Sequence, residues 1–194
     1  MQKDGLCLGG SMINNIYERP EVLSSLKKVF KEQGSVQMEV FLEPKIYDEV
    51  VKGIKKAYMK KVNVPLEGLY FQAPFQKKEI TKAIDGWISA LMEKPVKSEQ
   101  TIFSFRHKDY TICSDEHDEK KGLMAFLEVT KVWGENWGGY TSFIKNNEEV
   151  FRIVPVANTL TLVSVGEKMK KFVKYVNYHA GKTKREYIKF FYEI

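Results

Sequence analysis

Cysteine and histidine are both scarce in this sequence, which contains two cysteines and three histidines among 194 residues. Cys7 and Cys113 allow at most one disulfide and lack metal-ligand spacing, so a reducing cytosol is the simpler setting and thiol catalysis has little support. Long apolar runs are absent as well, because the amino-terminal residues contain no continuous hydrophobic stretch and no later window is long enough to span a bilayer. These absences predict a soluble cytoplasmic protein that does not act in a membrane.

The sequence has enough apolar residues for a core and a moderate excess of positive charge. Hydrophobic residues make up 43% of the chain, so we expect one domain over residues 1–194 that folds by itself. The net charge of +6 permits attraction to nucleic acid, to ribosomes or to acidic membrane surfaces. The lysines are scattered in pairs, such as Lys55-Lys56 and Lys120-Lys121, and this scatter weakens the case for nucleic-acid binding.

Apolar residues recur at helical spacing in three stretches of the first half, which predicts three amphipathic helices. These stretches are 20–33, 44–58 and 77–92. Residues 36–42 alternate as a strand would, and residues 69–75 form a short extended piece after a loop through Pro65. Residues 1–17 show neither period, and two interpretations of them stay open: a leader outside the fold and an ordered edge segment.

After Pro95 the apolar period changes from helical to two, which predicts β-strands separated by Gly, Asn, Asp and Lys turns. The eight predicted strands are 101–106, 109–113, 123–130, 140–144, 150–154, 159–165, 172–177 and 185–192. So many short strands indicate a sandwich, a barrel or a jelly roll. We therefore expect an α+β fold, in which a helix-rich part over residues 1–98 covers one face of a double sheet formed by residues 99–194.

Several landmarks after residue 36 occur in an order that resembles a known enzyme family. They are Tyr110-x-x-x-x-Asp115, the strand GLMAFLEVTKVW, Gly138-Gly139, Asn158-Thr-Leu after Pro155, and a late Arg185. In this order they resemble the 2-oxoglutarate and iron(II)-dependent oxygenases, and most of all the prolyl hydroxylases whose substrate in fungi and animals is a ribosomal protein. The resemblance covers roughly residues 36–194 and implies a double-stranded β-helix, or jelly roll, of about eight strands. Trp133, Asn158 and the two glycines are interpreted as fold residues.

The resemblance also implies where an iron site would lie. In this family two histidines and one acid bind one face of iron, and the open positions take the keto acid and oxygen. The first histidine and the acid form a His-x-Asp pair on one strand, which falls on residues 114–116, so Ser114 replaces the histidine and Glu116 keeps the acid. The distal histidine lies about a dozen residues before the arginine, where this chain has Val173. Two of the three ligands are thus lost.

The same resemblance assigns two residues to the pocket for 2-oxoglutarate. Arg185 matches the arginine that pairs with the far carboxylate of this cosubstrate, for which the guanidinium fork is well suited. Two positions later the family has a small hydroxyl residue, but this chain has Tyr187, which is large enough to occupy the keto-acid pocket. A structural ion pair, with Glu116 as the partner, is the alternative role for Arg185.

Other residues are candidates for displaced metal ligands. His107 and Asp109 form a literal His-x-Asp pair, but it lies upstream of the expected place, on what the pattern predicts as the preceding strand. His117 lies in an acidic cluster with Asp115, where a divalent ion could bind, although an exposed acidic loop explains the same residues. His179 lies in the turn YHAGK, either as a loop residue or as a displaced distal ligand.

Two functions of different classes follow from these residues. The first is a non-catalytic, prolyl hydroxylase-like protein without a cofactor, whose jelly roll binds a protein or peptide. The basic surface suggests a partner that belongs to the translation apparatus, such as a ribosomal protein. The second is an active protein hydroxylase, in which displaced ligands hold Fe(II) and Arg185 anchors 2-oxoglutarate. A jelly-roll isomerase of the cupin type is disfavoured, because cupins depend on histidine clusters and this chain has three histidines in no matching motif.

Overall fold

The computed structural model describes residues 11–65, 67–113 and 119–193. Within these residues the chain forms three α-helices and eleven β-strands. The helices are α1 (Pro20–Gln33), α2 (Pro44–Lys56) and α3 (Lys78–Met92). The strands are β1 (Ser35–Met38), β2 (Lys60–Val64), β3 (Gly68–Pro74), β4 (Glu99–Phe105), β5 (Tyr110–Thr111), β6 (Gly122–Glu128), β7 (Thr141–Lys145), β8 (Glu148–Ile153), β9 (Leu160–Val165), β10 (Met169–Val173) and β11 (Arg185–Tyr192).

The strands form two antiparallel sheets. The large sheet has the order β1-β9-β6-β11-β4-β3-β2, with β5 added beside β3, and the small sheet has the order β10-β7-β8. The eight strands predicted after Pro95 correspond to β4 to β11, although the predicted strands 109–113 and 172–177 each share only two residues with β5 and β10. The predicted α+β fold, a double-stranded β-helix with helices from the first half of the chain, is confirmed.

The central strands of the large sheet are buried on both faces, which explains why β6 is an almost continuous apolar run. Leu123 and Leu127 of β6 belong to one hydrophobic cluster, which includes residues of all three helices. Met124 and Phe126 alternate with them and belong to a second cluster, which includes residues of the small sheet. Because side chains of a strand alternate between faces, β6 and its neighbours β9 and β11 have a helix-covered face and a face toward the interior of the β-helix.

In the first half of the chain, the structure decides one open alternative and corrects one expectation. Ile13 is 3% exposed and bridges to Leu42, so residues 11–17 are an ordered edge segment and not a leader outside the fold. The predicted loop before Pro65 contains the strand β2, which pairs with β3. This strand lies at the edge of the sheet with most of its side chains exposed, so it lacks the apolar alternation that reveals a strand in sequence. In the described part of the chain, no helix is long and apolar enough to cross a membrane.

Asn158 connects the two halves of the chain. Its side chain accepts a hydrogen bond from the Leu42 amide at 2.9 Å and donates one to the Leu42 carbonyl at 2.7 Å. The residue is 7% exposed and has a φ of 54°, a conformation in which asparagine is favoured over most other residues. The sequence-based interpretation of Asn158 as a fold residue agrees with these contacts.

We expect Asn158→Ala to lower the free energy of unfolding by about 2–4 kcal/mol, because it leaves two buried backbone groups of Leu42 without partners. Urea denaturation measures this loss. The control is Asn63→Ala on the exposed edge strand β2, which should change stability by less than about 0.5 kcal/mol. Equal stability of the two variants would show that the Leu42 contacts contribute nothing.

Candidate functional site

Arg185 and Tyr187 lie on the interior face of β11. Arg185 is 0% exposed and Tyr187 is 3% exposed. The neighbouring strand β6 brings Glu128 directly opposite Tyr187 in the antiparallel register. Since Glu128 shares the interior face with Phe126, its carboxylate lies diagonally across from Arg185, within reach of a long side chain.

The guanidinium of Arg185 is almost fully occupied by hydrogen bonds from within the chain. Its Nη2 donates to Oε1 of Glu128, and its Nε lies 3.4 Å from Oε2 of the same carboxylate. Nη1 donates to the carbonyl oxygen of Gly139 and, at 2.8 Å, to the hydroxyl of Thr141. Four of the five N–H groups of an arginine are therefore used, and the bidentate fork faces Glu128.

The ion pair between Arg185 and Glu128 lies entirely away from solvent. Both side chains are 0% exposed. Burial raises the pKa of Glu128, and the positive charge of Arg185 opposes this rise. Two buried charges are tolerated when their mutual geometry and further hydrogen bonds offset the loss of hydration, and Gly139 and Thr141 supply those further bonds.

Aromatic rings fill the interior next to this ion pair. The ring of Tyr187 stacks on Phe103 and Phe105, with centroid distances of 5.3 and 6.0 Å, and tilts against Phe126 at 5.6 Å. Its other contact is the guanidinium of Arg185, whose Cζ lies 4.6 Å from the ring centroid. Burial raises the pKa of the Tyr187 hydroxyl, so this group stays protonated near neutral pH.

Val173, which stands at the expected position of the distal histidine, lies in the same interior. It is 1% exposed and belongs to the hydrophobic cluster that contains Tyr187. It pairs with Thr141 across the small sheet, and Thr141 also binds Arg185. The structure thus brings Val173, Arg185 and Tyr187 to one place, as the resemblance implies.

These residues do not fit the cosubstrate and the metal of the oxygenases. The Val173 side chain has no lone pair for a metal. The fork of Arg185 that would bind a carboxylate of 2-oxoglutarate already binds Glu128, and the Tyr187 ring occupies space beside it. In this arrangement the guanidinium fork and the space beside it are occupied by the chain's own side chains.

The early ligand positions Ser114 and Glu116, together with Asp115 and His117, lie outside the described residues. The chain on both sides of them is anchored along β10. The Thr111 hydroxyl accepts a hydrogen bond from the Val173 amide at 2.6 Å. On the other side, the Glu119 amide donates to the Met169 carbonyl at 2.8 Å. The two described ends of this stretch therefore contact the strand that carries Val173.

The prediction that His107 and Asp109 lie on a strand is wrong. β4 ends at Phe105, and residues 106–109 form a turn in which Lys108 has a φ of 79°. The Asp109 carboxylate accepts a hydrogen bond from the Arg106 amide at 2.7 Å and closes this turn. Asp109 is 4% exposed, and its burial raises its pKa. The i and i+2 geometry of a strand, which a His-x-Asp metal pair requires, does not apply in a turn.

His179 lies in a short 3-10 helix, Tyr178–Ala180, at the surface of the protein. Its ring packs against Tyr178 with a centroid distance of 4.0 Å. Across residues 11–65, 67–113 and 119–193, no three His, Cys, Asp or Glu side chains group together as metal ligands. Neither His107 nor His179 therefore belongs to a described metal site.

Glu128 is the site residue that the sequence analysis missed. The sequence-based alternative for Arg185 names Glu116 as its ion-pair partner, whereas the structure shows Glu128 in this place. A signal for it exists in the run GLMAFLE, where Glu128 follows Met124 and Phe126 at a period of two. An acid that shares a face with buried apolar residues requires a buried partner, and Arg185 on the neighbouring strand supplies the cation.

The glycine landmarks support the same ion pair. Gly138 and Gly139 have φ values of 73° and 68°, which glycine adopts readily, and this agrees with the interpretation of both as fold residues. The indole N–H of Trp133 donates to the Gly138 carbonyl at 2.9 Å, which holds this turn in place. The carbonyl of Gly139 is thereby fixed where it accepts a hydrogen bond from Arg185.

Solved structures with the same fold include prolyl hydroxylases. A prolyl-4-hydroxylase from Pseudomonas putida has a TM-score of 0.71 and 12% sequence identity, and covers 88% of this chain and 98% of its own. A prolyl hydroxylase from Trichoplax adhaerens, in complex with a peptide fragment of the hypoxia inducible factor oxygen degradation domain, has a TM-score of 0.72 and 13% identity, with coverage of 92% and 91%. At these identities the likeness concerns the fold.

A third similar structure carries the cosubstrate. The viral collagen prolyl hydroxylase of Paramecium Bursaria Chlorella virus-1, in its 2-oxoglutarate complex, has a TM-score of 0.61 and 13% identity, with coverage of 84% of this chain and 98% of its own. No curated protein matches the chain in sequence. Residues 75–194, more than half of the chain, match the family described as oxoglutarate and iron-dependent oxygenase degradation C-term. The chain therefore belongs to the oxoglutarate and iron-dependent oxygenase degradation C-terminal family.

Proposed function

We propose that this chain is a non-catalytic member of its family and acts as a module that binds a protein or peptide. The observation that carries this proposal is the buried ion pair of Arg185 with Glu128. Glu128 gives the arginine the carboxylate that a cosubstrate would otherwise supply, with both carboxylate oxygens toward the guanidinium. Val173, at the distal ligand position of the resemblance, supports the same conclusion.

The partner is inferred from the fold and the surface charge. The similar Trichoplax adhaerens enzyme is in complex with a peptide, which favours a peptide or a segment of a protein as the partner here. The net charge of +6 favours an acidic partner, or a ribosome-associated one in the cytoplasm. Both kinds of partner are inferred from the net charge alone and, like the cytoplasmic location, belong to the proposal.

The proposal is tested by cosubstrate binding and by turnover. We expect calorimetric titration with 2-oxoglutarate in the presence of Mn(II), which replaces iron without redox chemistry, to give no saturable heat, because the Arg185 fork is already occupied. We also expect no succinate above the protein-free blank when Fe(II), 2-oxoglutarate and oxygen are supplied. A 2-oxoglutarate oxygenase of known activity is the positive control for both assays.

Saturable binding at one site per chain, or succinate formed in proportion to the protein, would overturn the proposal. Either result would favour the active hydroxylase with displaced ligands. The first candidate metal ligands to mutate would then be His117 and Asp115, which lie outside the described residues. His117→Ala would then abolish turnover, while His179→Ala at the surface would leave it unchanged.

A further inference from the structure

A basic groove lies on the helix-covered face of the large sheet, beside the end of α2. Two adjoining cavities of about 440 and 400 Å³ share Ile54 and Ala57 in their walls, and we treat them together as one depression. We call this depression the α2 groove. One end lies between α2 and the residues just before β11, and the other end reaches Lys77 before α3.

Positive charge surrounds the α2 groove. Its walls carry six cationic side chains, namely Lys55, Lys56, Lys77, Arg106, Lys182 and Lys184. Among the described residues, none of these six forms an ion pair within 4.0 Å. The acidic residue of the lining is Glu186, and its carboxylate already accepts a hydrogen bond from the Ser104 hydroxyl at 3.2 Å. The groove is therefore a concentrated positive region with its charge available to a ligand.

The floor of the α2 groove is apolar. Ile54, Phe75 and Ile102 line it and are 2%, 8% and 3% exposed, so only small parts of these side chains reach the surface, and those parts are apolar. Tyr58 stands at its wall with 91% of its surface exposed, which is unusual for a large aromatic side chain in the absence of a partner. An apolar floor with a cationic rim is complementary to a chain that alternates acidic and apolar side chains.

We propose that the α2 groove binds an acidic peptide segment of a partner protein, with apolar side chains of the peptide on the floor and carboxylates at the lysines. This inference rests on the proposed function, because it names the surface and the partner of the binding module. A single-stranded nucleic acid fits less well, because it stacks successive bases on exposed rings. Here Phe75 is buried and Arg106 covers the Phe71 ring at 3.9 Å, which leaves Tyr58 as the exposed ring of the described lining.

The α2 groove is separate from the degenerate cosubstrate pocket. Ser104 and Glu186, which line the groove, alternate along β4 and β11 with Phe105 and Arg185, which face the interior. The two sites therefore lie on opposite faces of one sheet. Peptide binding at the groove requires neither iron nor 2-oxoglutarate.

The test is fluorescence anisotropy of the full chain with three labelled probes. The first is an acidic peptide of about twelve residues with leucine at every fourth position, the second has serine in place of leucine, and the third is a single-stranded RNA of the same length. The groove variant is Lys55→Glu/Lys184→Glu. The control variant, Lys45→Glu/Lys145→Glu, changes the net charge by the same amount at exposed positions outside the groove.

We expect the leucine peptide to bind, the groove variant to weaken its binding at least about tenfold, and the control variant to weaken it less than about twofold. Equal weakening by both variants, equal binding of the serine peptide, tighter binding of the RNA, or no binding of the leucine peptide would each overturn the inference. A negative result in these binding experiments does not change the outcome of the 2-oxoglutarate and succinate assays. Succinate formation, in turn, would remove the non-catalytic conclusion without changing the peptide affinity.

Discussion

Loss of either Glu128 or Arg185 alone is expected to lower the free energy of unfolding by about 3–5 kcal/mol. The reason is that each single substitution leaves the other charge buried in an interior where both side chains are 0% exposed. Glu128→Leu and Arg185→Met are the substitutions of choice, because each replaces a long side chain with an apolar one. Urea denaturation monitored by circular dichroism gives the two losses.

The double variant Glu128→Leu/Arg185→Met decides whether the loss comes from the pair or from packing. We expect its loss in free energy of unfolding to be smaller than the sum of the two single losses by at least about 2 kcal/mol. The reason is that no unpaired charge remains in the interior. Lys27→Met removes one partner of an exposed ion pair, Lys27 with Glu93 at 3.0 Å, and should cost less than about 1 kcal/mol. Additive losses in the double variant would contradict the ion pair as a coupled unit.

Gly138→Ala is expected to cost about 3 kcal/mol or more. A Cβ at this position would lie 2.1 Å from the carbonyl oxygen of Tyr175, and the φ of +73° is strained for any residue with a side chain. The turn would have to move, and with it the Gly139 carbonyl that accepts a hydrogen bond from Arg185. Thermal unfolding should therefore show a clearly lowered midpoint.

The control for this substitution is Gly86→Ala in the middle of α3. A Cβ at Gly86 meets nothing within 4 Å, and the residue is exposed on a helix. Alanine there should raise stability by about 0.5–1 kcal/mol, because it lowers the conformational entropy of the unfolded chain. If Gly138→Ala were as stable as the unaltered protein, the close contact between residue 138 and the Tyr175 carbonyl would not constrain stability.

The sequence predicts most of the regular elements because their burial is one-sided or complete. The three helices begin and end within one or two residues of their expected bounds, since each has an apolar stripe and α1 and α2 begin at a proline. Two strands depart from the prediction: β1 ends at Met38 and not at residue 42, and β2, an exposed edge strand whose side chains carry no pattern, was missed. Periodicity reveals a buried face, so an element without one escapes detection.

The candidate site was predicted in part. The family resemblance assigns Val173, Arg185 and Tyr187 to one site, and the structure has all three in one interior. His107 and Asp109 were misplaced, because a hydrogen bond from the Arg106 amide to the Asp109 carboxylate turns the chain directly after β4. A three-residue pattern in sequence cannot distinguish such a turn from a strand.

The sequence by itself determined the α+β fold, the order of its strands along the chain and the side-chain types available for chemistry. Tertiary structure decided which side chains meet: Arg185 with Glu128, Asn158 with the backbone of Leu42, and lysines of distant segments around the α2 groove. The physical reason is that periodicity reports burial along a single element. An ion pair or a groove depends on the register and packing between elements that are far apart in the chain.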